Sequence, residues 1–315
     1  MKLWTAALLL SWLPGLMSAA EGSAQQPPPA ASDDQTRIVL EVTRVNLLFT
    51  VTDRRGRFVT GLTKDDFIVR EGKNPQKILE FTAESDLPLR LVILIDSSNS
   101  VRDRFRFIQE AAIEFLNSVL RPGRDKAAVI SFDTAPELQA DLTDNLELLT
   151  NKIRELRPGG GTSLYDAIFY AARDKLMQDQ PLHKFRRAMI ILSDGEDNQS
   201  RFSRDQALEM AQKADVVIYT ISTSAVQGGV SNTRGDRVLR YFSEETGGTT
   251  FFPFQVTDLS QSFENIANEL RHQYNILYRP EPLKTDGSYQ TVEVRVQGRS
   301  NLVVRARKGY YAPRL

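Results

Sequence analysis

The sequence predicts an α/β protein in which a mostly parallel central sheet, flanked by helices, is inserted between two β-rich ends. Three observations carry this expectation. Five apolar runs in the middle of the chain, LVILID, AAVISF, AMIILSDG, VVIYTIS and TTFFPF, are interleaved with segments of helical periodicity, the pattern of buried parallel strands. At the two ends, apolar residues alternate with polar ones over short stretches bounded by turn residues, the pattern of half-buried strands. Neither end alone has enough strands to be comfortably stable, so the two are expected to combine into one β-sandwich.

Composition bounds the function classes. The 315 residues are compatible with two compact units, and 40 basic against 40 acidic side chains give no reason to expect a nucleic-acid or anionic-membrane partner. The absence of cysteine excludes disulfides and thiolate metal sites.

Residues 1–20, MKLWTAALLLSWLPGLMSAA, have a basic start, an apolar run and small residues around Ser18-Ala19-Ala20, the layout of a secretory signal peptide. Cleavage makes the protein exported, periplasmic or extracellular. Retention as an anchor is the alternative, because Pro14 and Gly15 interrupt the segment without forbidding insertion, and membrane contact is expected only in that case. Residues 21–35, rich in Pro, Ser, Ala and Gln, read as an extended spacer.

The N-terminal β segment, 36–87, contains RIVLEVTRVNLLFTVTD, RFVTGL, DFIVRE and QKILEF, separated by Asp53-Arg54-Arg55-Gly56 and Glu71-Gly72-Lys73-Asn74-Pro75. The α/β region spans 88–272. Its first helix places Phe105, Ile108, Ala112, Phe115 and Val119 on one face and stops at Pro122-Gly123; a second uses Leu146, Leu149, Ile153 and Leu156; the last uses Leu259, Phe263, Ile266 and Leu270. ELQADLT, between AAVISF and the second helix, is polar enough to be an exposed edge strand. The C-terminal β segment, 273–315, contains QYNILYRP, YQTVEVRVQG and NLVVRARKGYY, with Asp286-Gly287 as a turn signal.

The chemistry concentrates where apolar strands end. Asp96, Ser98 and Ser100 follow LVILI as an Asp-x-Ser-x-Ser triplet. These are hard oxygen donors, suited to Mg²⁺ or Ca²⁺ and poorly to zinc or copper; capping of the next helix is the other reading of the triplet alone. Asp194 ends AMIILS, and Gly159-Gly160-Gly161-Thr162 places a hydroxyl at a helix start. Open parallel sheets bind ligands outside the carboxyl ends of their strands, where strand order reverses.

Asp-x-Ser-x-Ser, a Gly-Gly-Gly-Thr helix start and a strand ending in Ser-Asp-Gly, in that order, resemble the von Willebrand factor A domain over about Leu91 to Leu270. The resemblance implies a Rossmann-like fold and a metal-ion-dependent adhesion site, with Ser98, Ser100 and Thr162 as hydroxyl ligands and Asp96 and Asp194 as carboxylates, often acting through water. The flanking VTDRRGRFVTGLTKDDFIVREGKNPQKILEF, YNILYRPEP and VRARKGYYAP resemble the bacterial VWFA-related domain proteins, an exported family without a firmly assigned biochemical role.

The expected function is non-enzymatic. Mg²⁺, with Mn²⁺ or Ca²⁺ as alternatives, would keep an exchangeable position that an Asp or Glu of a protein partner completes. A metal-linked regulatory switch working through the last helix, or an envelope assembly factor, is the alternative. A metal-assisted hydrolase is disfavoured because no general base or nucleophile pair accompanies the acids.

The remaining polar residues have plainer readings. Asp103 reads as a helix N-terminal charge, since Arg104 stands where a second metal site would need another acid. Asp166 either holds the glycine loop or simply favours a helix start, Glu196 and Asp197 read as solvated loop acids, and Arg234-Gly235-Asp236 reads as a chance match to an integrin-recognition tripeptide. His183 and His272 read as structural or solvated, and the glycine run lacks the Lys of a phosphate loop.

Overall fold

A computed structural model of the protein describes residues 44–83, 87–178, 184–224, 233–253 and 256–314, with backbone alone for 256–261. The expected signal peptide, the spacer and His183 lie outside the described residues.

The first strands are β1 (Val45–Asp53), β2 (Phe67–Glu71), β3 (Asn74–Gln76) and β4 (Ile78–Thr82). The α/β region follows as β5 (Leu89–Asp96), α1 (Phe105–Val119), β6 (Lys126–Phe132), β7 (Pro136–Thr143), α2 (Leu146–Glu155), α3 (Leu164–Tyr170), β8 (Arg186–Ser193), α4 (Arg204–Lys213), β9 (Val216–Ser222), α5 (Arg234–Thr246), β10 (Thr250–Phe251) and α6 (Val256–Arg271). The chain ends with β11 (Tyr274–Tyr278), β12 (Tyr289–Val296), β13 (Leu302–Ala306) and β14 (Gly309–Tyr311).

The two ends of the chain are interleaved. One antiparallel sheet has the order β13-β1-β11-β4 and the other β14-β12-β2-β3, so β1 is held on both sides by C-terminal strands. Their alternating apolar residues form one core, including Leu47, Phe49, Val51, Phe67, Val69, Tyr274, Ile276 and Val292. The Phe49 ring lies 5.1 Å from Phe67 and 5.7 Å from Tyr274. Glu71 is buried there and accepts hydrogen bonds from Tyr278 (3.1 Å) and Tyr310 (2.9 Å).

The central sheet has the order β10-β9-β8-β5-β6-β7, parallel except for β7, which pairs antiparallel with β6 at the edge. Every residue of β5 and β8 is buried. Alternation within β5 assigns its side chains to two layers: Leu91, Ile93 and Ile95 pack with α1, α2 and α6, while Val92 and Leu94 pack with α3, α4 and α5. The predicted helix faces are buried as expected for Phe105, Ile108, Ala112, Phe115, Val119, Leu149, Ile153, Phe263, Ile266 and Leu270. TTFFPF departs from expectation: only Thr250–Phe251 pair, at the sheet edge and half-buried. An edge strand has one neighbour, and Pro253 has no N–H with which to extend the ladder.

From β5 the chain moves to β6 on one side, whereas β8 returns on the other. The order therefore reverses between β5 and β8, and the crevice outside their carboxyl ends is where an open α/β sheet receives a ligand.

The described residues all fall within one compact unit. The C-terminal run Arg305-Ala306-Arg307-Lys308 grips the α/β region: Arg305 donates to Glu269 (2.9 Å) and to Thr249, Arg307 to Asp215, and Lys308 to Glu245 (3.0 Å). Among the described residues no helix is long and apolar enough to cross a membrane.

Candidate metal centre

Asp96 is the last residue of β5 and has no solvent exposure. Its Oδ1 accepts the Ser98 N–H (2.9 Å), which bends the chain back beneath the carboxylate, and its Oδ2 accepts the Ser193 hydroxyl (2.6 Å). The Ser98 and Ser100 hydroxyls converge to 2.9 Å. Neither the tight turn over Asn99–Arg104 nor α1 has a side-chain cap, so the triplet does not cap the helix it precedes.

The glycine loop is sewn to this turn. Gly159 N–H donates to the Ser97 carbonyl (2.7 Å), and both the backbone and side-chain N–H groups of Asn99 donate to the Gly160 carbonyl (3.2 and 3.0 Å). Arg102 adds a clip, donating to Asn99 Oδ1 (2.7 Å) and to the Pro158 carbonyl (3.2 Å).

The third loop, after β8, locks onto the second. Thr162 is buried; its N–H donates to Asn198 Oδ1 (3.0 Å), and its carbonyl accepts from the N–H groups of Asn198 (2.9 Å) and Gln199 (3.0 Å). Asp197 accepts the Tyr165 N–H (3.0 Å) and the Ser200 hydroxyl (2.6 Å), while Asp166 accepts the N–H groups of Arg201 and Phe202, both at 2.9 Å. Asp166 thus holds a loop, and Asp197 serves the start of α3 instead of standing free as a solvated acid.

Asp194 is half-buried, and its Oδ1 accepts the Glu196 N–H (3.1 Å). Ser193 brings it beside Asp96, because the same hydroxyl that donates to Asp96 accepts the Gly195 N–H (2.9 Å). Burial pushes the Asp96 carboxyl up to about 6, with the neighbouring Asp194 charge adding to the rise and the hydrogen bonds from Ser193 and Ser98 opposing it. Two acids held together at a buried strand end form an electrostatic environment that a cation would relieve.

The donor chemistry fits a hard divalent ion: two carboxylates and three hydroxyls come from loops cross-linked pairwise at the switch point. Among the described residues no group of three or more His, Cys, Asp or Glu side chains offers a metal site, so hydroxyls are needed to complete one here. Sequence reasoning did not find Ser193, Asn198 and Arg102, which position the candidate ligands. Only the proximity of Ser193 and Asn198 to Asp194 in sequence could have marked two of them. Asp103 is exposed. His272 stacks on Phe58 (5.5 Å between centroids) with Nδ1 2.7 Å from the Asn268 carbonyl, a structural position.

Residues 91–196 match the von Willebrand factor type A domain. No curated protein matches the sequence. Among solved structures, a von Willebrand factor type A protein from Catenulispora acidiphila is similar at 12% identity and a TM-score of 0.50, over 86% of this chain and 74% of that one. Proximal thread matrix protein 1 of the mussel byssus, in a structure with a zinc-occupied MIDAS motif, is similar at 15% identity and a TM-score of 0.50, over 64% of this chain and 50% of that one. BatB, a conserved hypothetical protein from Bacteroides thetaiotaomicron, has 15% identity and a TM-score of 0.46, over 57% of this chain and 98% of that one. The α/β region has the von Willebrand factor A-like fold, and the three cross-linked loops stand at the carboxyl end of its sheet.

Proposed function

We propose that the protein is a non-enzymatic, divalent-cation-dependent protein-binding module. Asp96, Ser98, Ser100, Thr162 and Asp194 hold the ion, which is Mg²⁺ in this reading, with Mn²⁺ or Ca²⁺ as competitors. The observation that carries the proposal is the convergence of the Ser98 and Ser100 hydroxyls beside a buried Asp96 that is tied through Ser193 to the Asp194 loop. When bound, the ion supplies residual positive charge, because hydroxyls are neutral ligands, and a coordination position open to an Asp or Glu of a partner protein. The chain's own contribution is rigidity: the cross-linked loops fix the oxygens before the ion arrives. The N-terminal segment makes the module exported, to the periplasm or beyond the cell, with the sandwich as its support.

Mg²⁺ titration followed by thermal unfolding tests the site. Binding to the native state raises the midpoint by mass action. The unaltered protein should show that rise and Asp96→Ala should not; equal responses in the two would remove the site from the reading. Capture of partners in Mg²⁺ and release by a chelator, compared with Asp96→Ala, then tests the binding role. Mn²⁺, Ca²⁺ and Zn²⁺ belong in the same titration, since the mussel protein's motif holds zinc.

A second reading, a metal-linked switch, is favoured by one observation: α6 ends at Arg271 and β11 begins at Tyr274, leaving only His272 and Gln273 between them. Amide exchange across α6 with and without Mg²⁺ separates the two readings.

A further inference from the structure

Arg234-Gly235-Asp236, the tripeptide with the look of an adhesion signal, opens α5 and is built into the back of the candidate metal centre. Asp236 has no solvent exposure. Its carboxylate accepts the Ser222 hydroxyl (2.7 Å), the Ser224 hydroxyl (3.4 Å) and the Thr233 N–H (3.1 Å), while the Thr233 hydroxyl accepts the Asp236 N–H (3.0 Å). This capping box pins the first turn of α5 to the end of β9. The tripeptide therefore cannot be read by an outside receptor in this fold.

The pinned turn abuts Asp194. A Cβ on Gly235 would stand 2.0 Å from the Asp194 carbonyl oxygen and 2.9 Å from the Gly195 carbonyl carbon. From the other side, a Cβ on Gly195 would stand 2.2 Å from the Gly235 carbonyl oxygen, and Gly195 has φ +80°. Both sets of neighbours are backbone, so neither can swing aside as a side chain would. The two glycines interlock the Asp194 loop with the helix start.

We infer that Gly235 is a positioning residue for the metal centre: by allowing the α5 backbone to seat directly against Asp194-Gly195, it sets where the Asp194 carboxylate stands. The inference rests on the proposed metal site and adds to it an element that contributes no ligand. A methyl at 235 must push the Asp194 loop, α5 or both out of register, and the ligand set then loses the placement of one of its two carboxylates. Outer-shell changes of this kind weaken metal binding by about 10- to 100-fold.

The test is calorimetric Mn²⁺ titration of the full chain, with the electron paramagnetic resonance spectrum of the bound ion as a readout of ligand geometry. The unaltered protein should bind Mn²⁺ and Asp96→Ala should lose binding. Gly235→Ala should bind about 10- to 100-fold more weakly, with an altered spectrum, and the exposed Arg234→Ala should match the unaltered protein. Wild-type affinity and spectrum in a folded Gly235→Ala protein would overturn the inference while leaving the site standing; absence of Mn²⁺ binding in the unaltered protein overturns both. Should Gly235→Ala fail to fold, the Ser222→Ala/Ser224→Ala pair keeps the glycine and loosens the anchor of the helix start. The pair should weaken Mn²⁺ binding in the same direction, and unchanged affinity there rejects the inference.

Discussion

Ser193 has one hydroxyl and two duties. It donates to Asp96 Oδ2 and accepts the Gly195 N–H, with no solvent exposure. Ser193→Ala leaves a buried carboxylate oxygen and a buried N–H unmet, and each such group costs about 1–3 kcal/mol. The variant should unfold at lower denaturant concentration with an unchanged slope, a loss of roughly 2–6 kcal/mol for the two groups combined; a change under 1 kcal/mol would mean that other groups replace the hydroxyl. Asn198 is the matching case on the neighbouring loop. Its side-chain oxygen is the acceptor for the buried Thr162 N–H, so Asn198→Ala should destabilise by about 1–3 kcal/mol and weaken any ion held by Thr162. Denaturation without metal, then Mg²⁺ titration, measures the two effects separately. Neither residue was legible beforehand. The candidate ligands Asp96, Ser98, Ser100, Thr162 and Asp194 stand out because oxygen donors interrupt apolar runs and glycine loops, whereas Ser193 acts across 97 residues of sequence through an ordinary hydroxyl.

At the scale of elements, α6 carries an acid where its periodicity calls for apolar residues. Glu269 is 3% exposed, and its Oε2 accepts a hydrogen bond from Arg305 (2.9 Å). The Tyr219 and Thr50 hydroxyls stand beside it. Burial pushes its carboxyl up to about 7, against the pull of Arg305. The folded state therefore holds this proton more tightly than the unfolded chain, whose carboxyl titrates near 4.5. The resulting stabilisation is complete below about 4.5 and is lost as pH rises through about 7. Glu269→Gln removes that titration, so the stability difference between variant and parent should shift in the variant's favour by a few kcal/mol between pH 5 and pH 8. Urea unfolding of both proteins across that range reads it out; parallel pH profiles would show that Glu269 is ionised throughout. Helices α1, α2 and α6 were plain from their apolar stripes, and β5, β6, β8 and β9 from their apolar runs. The β10 segment misled because TTFFPF has the composition of a buried strand, while Pro253 and an edge position leave only two residues to pair.

Across the whole molecule, the sandwich is discontinuous in sequence, and the turn-bounded alternation at both ends implied that before any strand was placed. What the alternation did not reveal is the depth of the interleaving, which depends on pairing partners more than 200 residues apart. β1 has β11 on one side and β13 on the other, and β2 has β12 between itself and β14. The buried Glu71 carboxylate accepts hydrogen bonds from two C-terminal tyrosines, Tyr278 and Tyr310. A fragment ending near Asp86 therefore retains the β2–β3 hairpin pairing but strips β1 of both neighbours and β4 of β11, opening the shared core to water. Two residual strands and an unmet carboxylate are too little for independent stability. The fragment should lack the dispersed amide spectrum of a fold. Residues 87–272, by contrast, keep every strand of the central sheet and both helical layers, so they should fold alone. Their stability should be lower than in the full chain, because Asp215, Glu245 and Glu269 lose Arg307, Lys308 and Arg305. Amide spectra of the two fragments decide the matter: dispersed resonances from the piece ending near Asp86, or their absence from 87–272, would reverse the assignment of which region depends on which.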